Sequence, residues 1–141
     1  MRHRQNPEQL NPVSLLRRLF GPPEPDPRED LSGADVARKA LILGRLMGFR
    51  GEPAAVVTES LVPPAARGLP LKQYLGRLAS FDGEWSERVR AAQSKGQVLR
   101  YIATVTPRRL RVGLTAVNLN SPFASLRGTD NQIVFTTARY R

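Results

Sequence analysis

The stretch QVLRYIATVTPRRLRVGLTAV, Gln97 to Val117, decides the fold class. Its apolar residues recur every second position, so Gln97 to Thr106 and Arg109 to Val117 read as strands with a turn at Pro107-Arg108. Upstream the period is helical. Leu71, Tyr74, Leu75 and Leu78 space as one helix, and Trp85, Val89 and Ala92 as a second, which Gly96 should end. Ala55 to Val62 alternates loosely and reads as a strand closed by Pro63-Pro64, and Asn131 to Ala138 reads as a further strand after a structured loop. Helices first and then strands predict an α+β fold, with helices packed on a mostly antiparallel or mixed sheet.

The N-terminal part is less regular. Residues 1–12 are polar, contain Pro7 and Pro12, and are expected to be irregular; Val13 to Phe20 has a short amphipathic pattern that Gly21-Pro22-Pro23 stops. Glu24 to Asp30 reads as a stiff, extended, Pro-spaced loop. Ser32 and Asp35 have the spacing of a capping box, with Asp in place of the usual Glu. The helix that follows, Val36 to about Gly48, carries apolar residues around most of its circumference, as a helix buried nearly all round would.

At 141 residues the chain has room for one ordinary domain, and that domain can close without staples. Cysteine is absent, which excludes disulfides, thiol nucleophiles and Cys-ligated metals. His3 is the one histidine, so a Ser-His-Asp triad or a His-built metal site is not expected. No run of 18 apolar residues suggests a membrane span, and no apolar segment follows the basic N-terminus as in a secretory signal; a cytoplasmic protein is expected. The net charge is +10, with 19 arginines and only Lys39, Lys72 and Lys95 as lysines. Such an excess suits a polyanion partner. The arginines are scattered, however, and no aromatic ladder accompanies them, which weighs against nucleic acid. Arg108, Arg109 and Arg111 are the densest basic stretch.

Chemistry is concentrated in one place. Glu24 to Lys39 holds five of the twelve carboxylates of the chain. Asp35 and Lys39 are four residues apart, hence on one helix face. A carboxylate is favoured at a helix N-terminus by the macrodipole, whereas an ammonium in the second turn is not. Two readings stand: a desolvated, acid/base lysine, or a surface ion pair that supports the helix. No GxGxxG or GxxxxGK[ST] phosphate loop is present.

The segment EPDPREDLSGADVARK, Glu24 to Lys39, closely resembles the homoserine dehydrogenase signature EPDPRxDLxGxDVARK. The likeness continues in Ser60-Leu61-Val62-Pro63, in Val98 to Ile102, in PFASLRGTDN (Pro122 to Asn131) and in Thr137 to Tyr140. It implies a catalytic, substrate-binding and dimerisation domain over residues 13–141. That family interconverts L-homoserine and L-aspartate 4-semialdehyde with NAD or NADP. By position, Lys39 would handle the proton at the substrate oxygen and Asp35 would hold the substrate beside it. Glu24 would bind the substrate amino group, Asp30 would belong to the same acidic wall, and Gly21 would lie near the cofactor. No metal ligands are implied.

The likeness is incomplete. Family members carry a Gly-rich cofactor domain and a Gly-Ala-Gly segment that this sequence does not contain, and Pro22-Pro23 stands where an aromatic–Thr pair is usual. The domain is therefore expected to be incomplete and inactive alone, served either by a companion cofactor-domain chain or by none. The alternatives are a non-catalytic remnant that forms a homodimer, and a basic nucleic-acid binder.

Overall fold

A computed structural model describes residues 26–128 and 130–139. Four α-helices are seen there, α1 (Arg28–Leu31), α2 (Ala34–Leu46), α3 (Leu71–Arg77) and α4 (Asp82–Gln93), besides three short 3-10 turns. Three strands, β1 (Val57–Thr58), β2 (Gln97–Val105) and β3 (Leu110–Asn118), form one sheet in the order β1-β3-β2. β2 and β3 are an antiparallel hairpin running from Gln97↔Asn118 to Val105↔Leu110, and β1 joins β3 in parallel at Val57↔Arg111 and Thr58↔Val112. The α+β architecture with a mixed sheet is the one expected.

The hairpin turn closes through Thr106. Its N–H and hydroxyl both donate to the Arg109 carbonyl, at 3.0 and 2.9 Å, and its hydroxyl oxygen accepts the Arg109 N–H at 2.9 Å. Leu110 and Val112 are fully buried in the centre of the sheet, where α2 lies on them through Ala40 and Leu41. The approach is close because Gly44 has no side chain; a Cβ there would stand 2.8 Å from a Leu110 methyl. A second cluster gathers Leu31, Leu61, Val62, Ala66 and Tyr74, with Phe81, Trp85 and Leu114 around it. Tyr101 packs against both clusters.

Several expectations need correction. Glu24 to Asp30 is not wholly extended, because Arg28 to Leu31 turns into α1. Asp26 starts that turn by accepting the Arg28 N–H at 3.0 Å. Ser32 and Asp35 do not form a capping box. The Ser32 hydroxyl donates to the Glu29 carbonyl at 2.6 Å and accepts the Ala34 N–H at 3.2 Å, and Gly33, at φ 76°, is the N-cap residue of α2. Nor is α2 buried all round. Ala40, Leu41 and Gly44 are covered, whereas Ile42 is 62% and Leu46 82% exposed, because the sheet meets only one side of the helix.

Of the strand expected over Ala55 to Val62, only Val57–Thr58 pairs. Past it the Glu59 N–H still donates to the Val112 carbonyl at 2.8 Å, and the chain then leaves to place the Leu61 N–H on the Leu31 carbonyl at 2.7 Å. Asn131 to Ala138 is not a strand, and Ile133, Val134 and Phe135 are exposed. Alternation marks a segment able to pair, but a ladder also needs a neighbouring edge. The amphipathic segment Val13 to Phe20, expected to form a turn or two of helix, lies outside the described residues.

The start of α2 is set by one contact. The Tyr101 hydroxyl donates to the Glu59 carbonyl at 2.7 Å and lies against Gly33, where an added Cβ would overlap it. Burial, then the Glu59 carboxylate, pushes the Tyr101 phenol above its usual range.

Gly33→Ala is therefore expected to destabilise the fold more than Gly96→Ala. Both glycines have positive φ, worth about 1–2 kcal/mol against an L-residue, but only Gly33 faces a neighbouring atom. Urea unfolding of the two variants checks this; equal midpoints would refute the contact. A pH series adds a second test. The folded chain holds the Tyr101 proton more tightly than the unfolded chain does. That stabilisation is complete below the unfolded value of about 10 and is lost as pH rises through the folded one. Tyr101→Phe should flatten the alkaline fall in urea midpoint; an unchanged alkaline limb would count against it.

Candidate functional site

Asp35 and Lys39 stand in the first two turns of α2, and their side chains pair, Lys39 Nζ to Asp35 Oδ2, at 2.7 Å. Both are open to solvent, with side chains 54% and 72% exposed. The described residues leave the pair exposed and do not supply the desolvation expected of an acid/base lysine. An exposed pair of this spacing adds only about 0.3–0.5 kcal/mol, so either partner can be exchanged at little cost. Helical spacing places Asp35, Lys39, Ile42 and Leu46 along one stripe, two charges above two apolar side chains, and all four are exposed.

Asp30 is in α1, on the other side of the Gly33 turn from Asp35. It is half-buried, and no ion pair joins it to Lys39 among the described residues. Glu24 and Gly21 lie outside the described residues. The structure thus brings Asp35 and Lys39 together and places Asp30 in the adjoining helix.

The sequence reading assigned no role to the arginine inside the signature. Arg28 donates from Nε and Nη2 to the Asp26 carboxylate, at 3.0 and 2.7 Å. Its Nη1 reaches the carbonyls of Leu69 and Arg67, and its guanidinium lies 5.2 Å from the centre of the Tyr74 ring. These bonds from Arg28 hold the Asp26 carboxyl below the usual carboxylate range. The acidic segment is thereby pinned to the Leu69 loop, and its place inside EPDPRED was the only signal available.

Glu59 was missed as well. Its Oε1 accepts from Arg88 at 2.9 Å and its Oε2 accepts the Leu114 N–H at 3.0 Å. That backbone group lies beyond the end of β1, so a carboxylate replaces the missing strand. The carboxylate packs over Gly113, where a Cβ would stand 2.7 Å from it. Arg100 binds the carbonyls of Phe123, Ala124 and Leu126 at 2.9, 2.6 and 3.4 Å, which orders the PFASL loop.

A nicotinamide dinucleotide finds no cradle among these residues. The positive-φ glycines, Gly33, Gly48, Gly96 and Gly128, are isolated rather than grouped in one strand–helix turn, and the parallel pairing is two residues long. The described residues therefore do not fit the group. Among them there is also no cluster of three His, Cys, Asp or Glu side chains, and no helix long and apolar enough to cross a membrane.

Comparison with known proteins is unambiguous at the level of family. The family model described as homoserine dehydrogenase matches residues 18–141. A chloroplastic bifunctional aspartokinase/homoserine dehydrogenase 1 of Zea mays is 44% identical over 121 residues, covering 84% of this chain and 13% of the relative. A homoserine dehydrogenase of Emericella nidulans is 40% identical over 136 residues, covering 91% of this chain and 37% of the relative. Among solved structures, a Candida auris protein of unknown function superposes with a TM-score of 0.75 at 35% identity, over 84% of this chain and 34% of that one. The chain thus spans well under half the length of the proteins it matches. By the family match and by these identities, it belongs to the homoserine dehydrogenase family.

Proposed function

We propose that this chain is the substrate-holding and proton-transferring part of a homoserine dehydrogenase, acting between L-homoserine and L-aspartate 4-semialdehyde. The observation that carries the reading is the open Asp35–Lys39 pair at 2.7 Å, on the family's signature residues. In the reducing direction the Lys39 ammonium donates a proton to the oxygen that was the aldehyde, and in the oxidising direction the Lys39 amine takes the hydroxyl proton. Asp35 orients that amine. Asp30, together with Glu24, offers carboxylates to the substrate's ammonium group. The hydride belongs to NAD or NADP, held by residues other than those described, in this chain or a companion.

The exposed stripe below the pair supports the same reading. Ile42 and Leu46 form an apolar shelf next to Asp35 and Lys39, and a surface seated on it would take the pair out of water. Exclusion of water strengthens the ammonium's hold on a developing alkoxide.

Two measurements test the proposal. The purified chain, given L-aspartate 4-semialdehyde and reduced nicotinamide cofactor, is expected to show no turnover. Turnover lost in Lys39→Ala would show instead that the chain holds its own cofactor. Grafted in place of the matching segment of the Emericella nidulans enzyme, the chain should support activity, and Lys39→Ala in the graft should lower kcat by about 10²–10⁴. An active graft indifferent to Lys39→Ala and Asp35→Asn would overturn the assignment.

A further inference from the structure

Four carboxylates lie between Asp26 and Asp35, and they are not equally free to hold a cation. Asp26 is taken by Arg28 and Asp35 by Lys39, each at 2.7 Å. Among the described residues neither Glu29 nor Asp30 has an ion pair, and of these two Asp30 is the half-buried one. A carboxylate without a partner and partly withdrawn from water attracts a cation more strongly than one already paired. We infer that Arg28 is a positioning residue for the substrate's ammonium group: it keeps Asp26 from competing and fixes the short helix that presents Asp30. This role rests on the dehydrogenase reading of Asp30.

The helix that carries Asp30 does not hold its own orientation. α1 is four residues long, well below the length at which helices stabilise themselves. Two anchors hold it instead. At its C-terminal end Leu31 is buried, and its carbonyl accepts the Leu61 N–H at 2.7 Å. At its N-terminal end the Arg28 side chain, 19% exposed, grips the Asp26 carboxylate at 3.0 and 2.7 Å and the carbonyls of Leu69 and Arg67. Its guanidinium also lies 5.2 Å from the ring centre of the fully buried Tyr74. Arg28 and Leu31 are three residues apart and share one face, and Asp30 stands off that face between the anchors. With both in place the rotation of α1 is fixed; with Leu31 alone the helix pivots. The Asp30 carbonyl accepts the Gly33 N–H at 3.2 Å, so its placement carries into the turn from which α2 starts.

The arrangement calls for an arginine. One edge of the guanidinium fork binds a carboxylate, another binds carbonyls, and its face lies over an aromatic ring. An ammonium serves fewer of these partners at once. Without Arg28, Asp26 becomes a second uncompensated carboxylate four residues from Asp30, where the ammonium would settle out of place. The amino group of L-homoserine is not on the reacting carbon, so its contacts are made equally in the ground and transition states. Their loss raises KM and spares kcat. Lys39, at the reacting oxygen, has the opposite signature.

The experiment uses the graft of the full chain into the Emericella nidulans enzyme, with urea unfolding confirming that each variant is folded under assay conditions. Arg28→Gln should raise the KM for L-homoserine about tenfold, as loss of a charge-assisted hydrogen bond does, and leave kcat and the cofactor KM within about twofold. Arg28→Lys, which keeps the charge but not the fork, should raise the same KM by less. It remains informative if Arg28→Gln does not fold. Asp26→Asn added to Arg28→Gln should be no worse than Arg28→Gln alone, since the two side chains act as one unit. Folded Arg28 variants with an unmoved homoserine KM would overturn the role. So would a parallel rise in the cofactor KM, which marks general loosening, or effects of Asp26→Asn and Arg28→Gln that multiply. A graft that is inactive, or indifferent to Lys39→Ala, overturns the dehydrogenase reading and this role with it. A Lys39-dependent graft with unmoved Arg28 variants overturns the role alone.

Discussion

Everything near the signature residues depends on where α2 begins, and a phenol meeting a glycine decides that. The Tyr101 hydroxyl, tied to the Glu59 carbonyl at 2.7 Å, occupies the space a side chain at position 33 would fill. Gly33 alone combines that absence with a φ of 76°. α1 therefore ends and α2 starts within two residues, and Asp30 and Asp35 stand on either side of one turn. The same hydroxyl joins the sheet to the segment after β1, which in turn holds α1 through the Leu61–Leu31 backbone bond.

Three charged residues extend that joint. Arg28 fixes the acidic segment to the loop before α3, Glu59 completes the edge of β3 where β1 has ended, and Arg100 gathers the loop after β3. In each case a charged group satisfies backbone atoms that regular structure leaves unpaired. These residues belong to the scaffold, and the Asp35–Lys39 pair rests on it while remaining open. The excess of arginine acquires a structural meaning here: several guanidiniums, those of Arg28, Arg67 and Arg100, serve as backbone clamps.

The long hairpin, α3 and α4 were legible because period, turn residues and the closing Gly96 all agreed. The end of β1 was not, since Ala55 to Val62 alternates over more residues than the sheet has room to pair. Asn131 to Ala138 misled for a related reason, because its pattern describes what it can bury and not which edge it meets. The circumference of α2 misled differently: apolar residues on all sides need cover on all sides, and the sheet offers one face. Ser32 was read as a cap partner for Asp35, but its hydroxyl is used closer at hand, between Glu29 and Ala34.

The sequence by itself determined the family, the α+β class, the hairpin and the placement of Asp35 and Lys39 on one helix face, because each is carried by local order or by spacing along one element. The exposure of that pair, the contact of Tyr101 with Gly33, and the roles of Arg28, Glu59 and Arg100 were decided only by the tertiary structure. Apart from Asp26 beside Arg28, the partners named for these residues lie from 23 to 68 residues away along the chain. No local pattern records which distant backbone group a charged side chain will meet, since that is settled by how helices and strands pack.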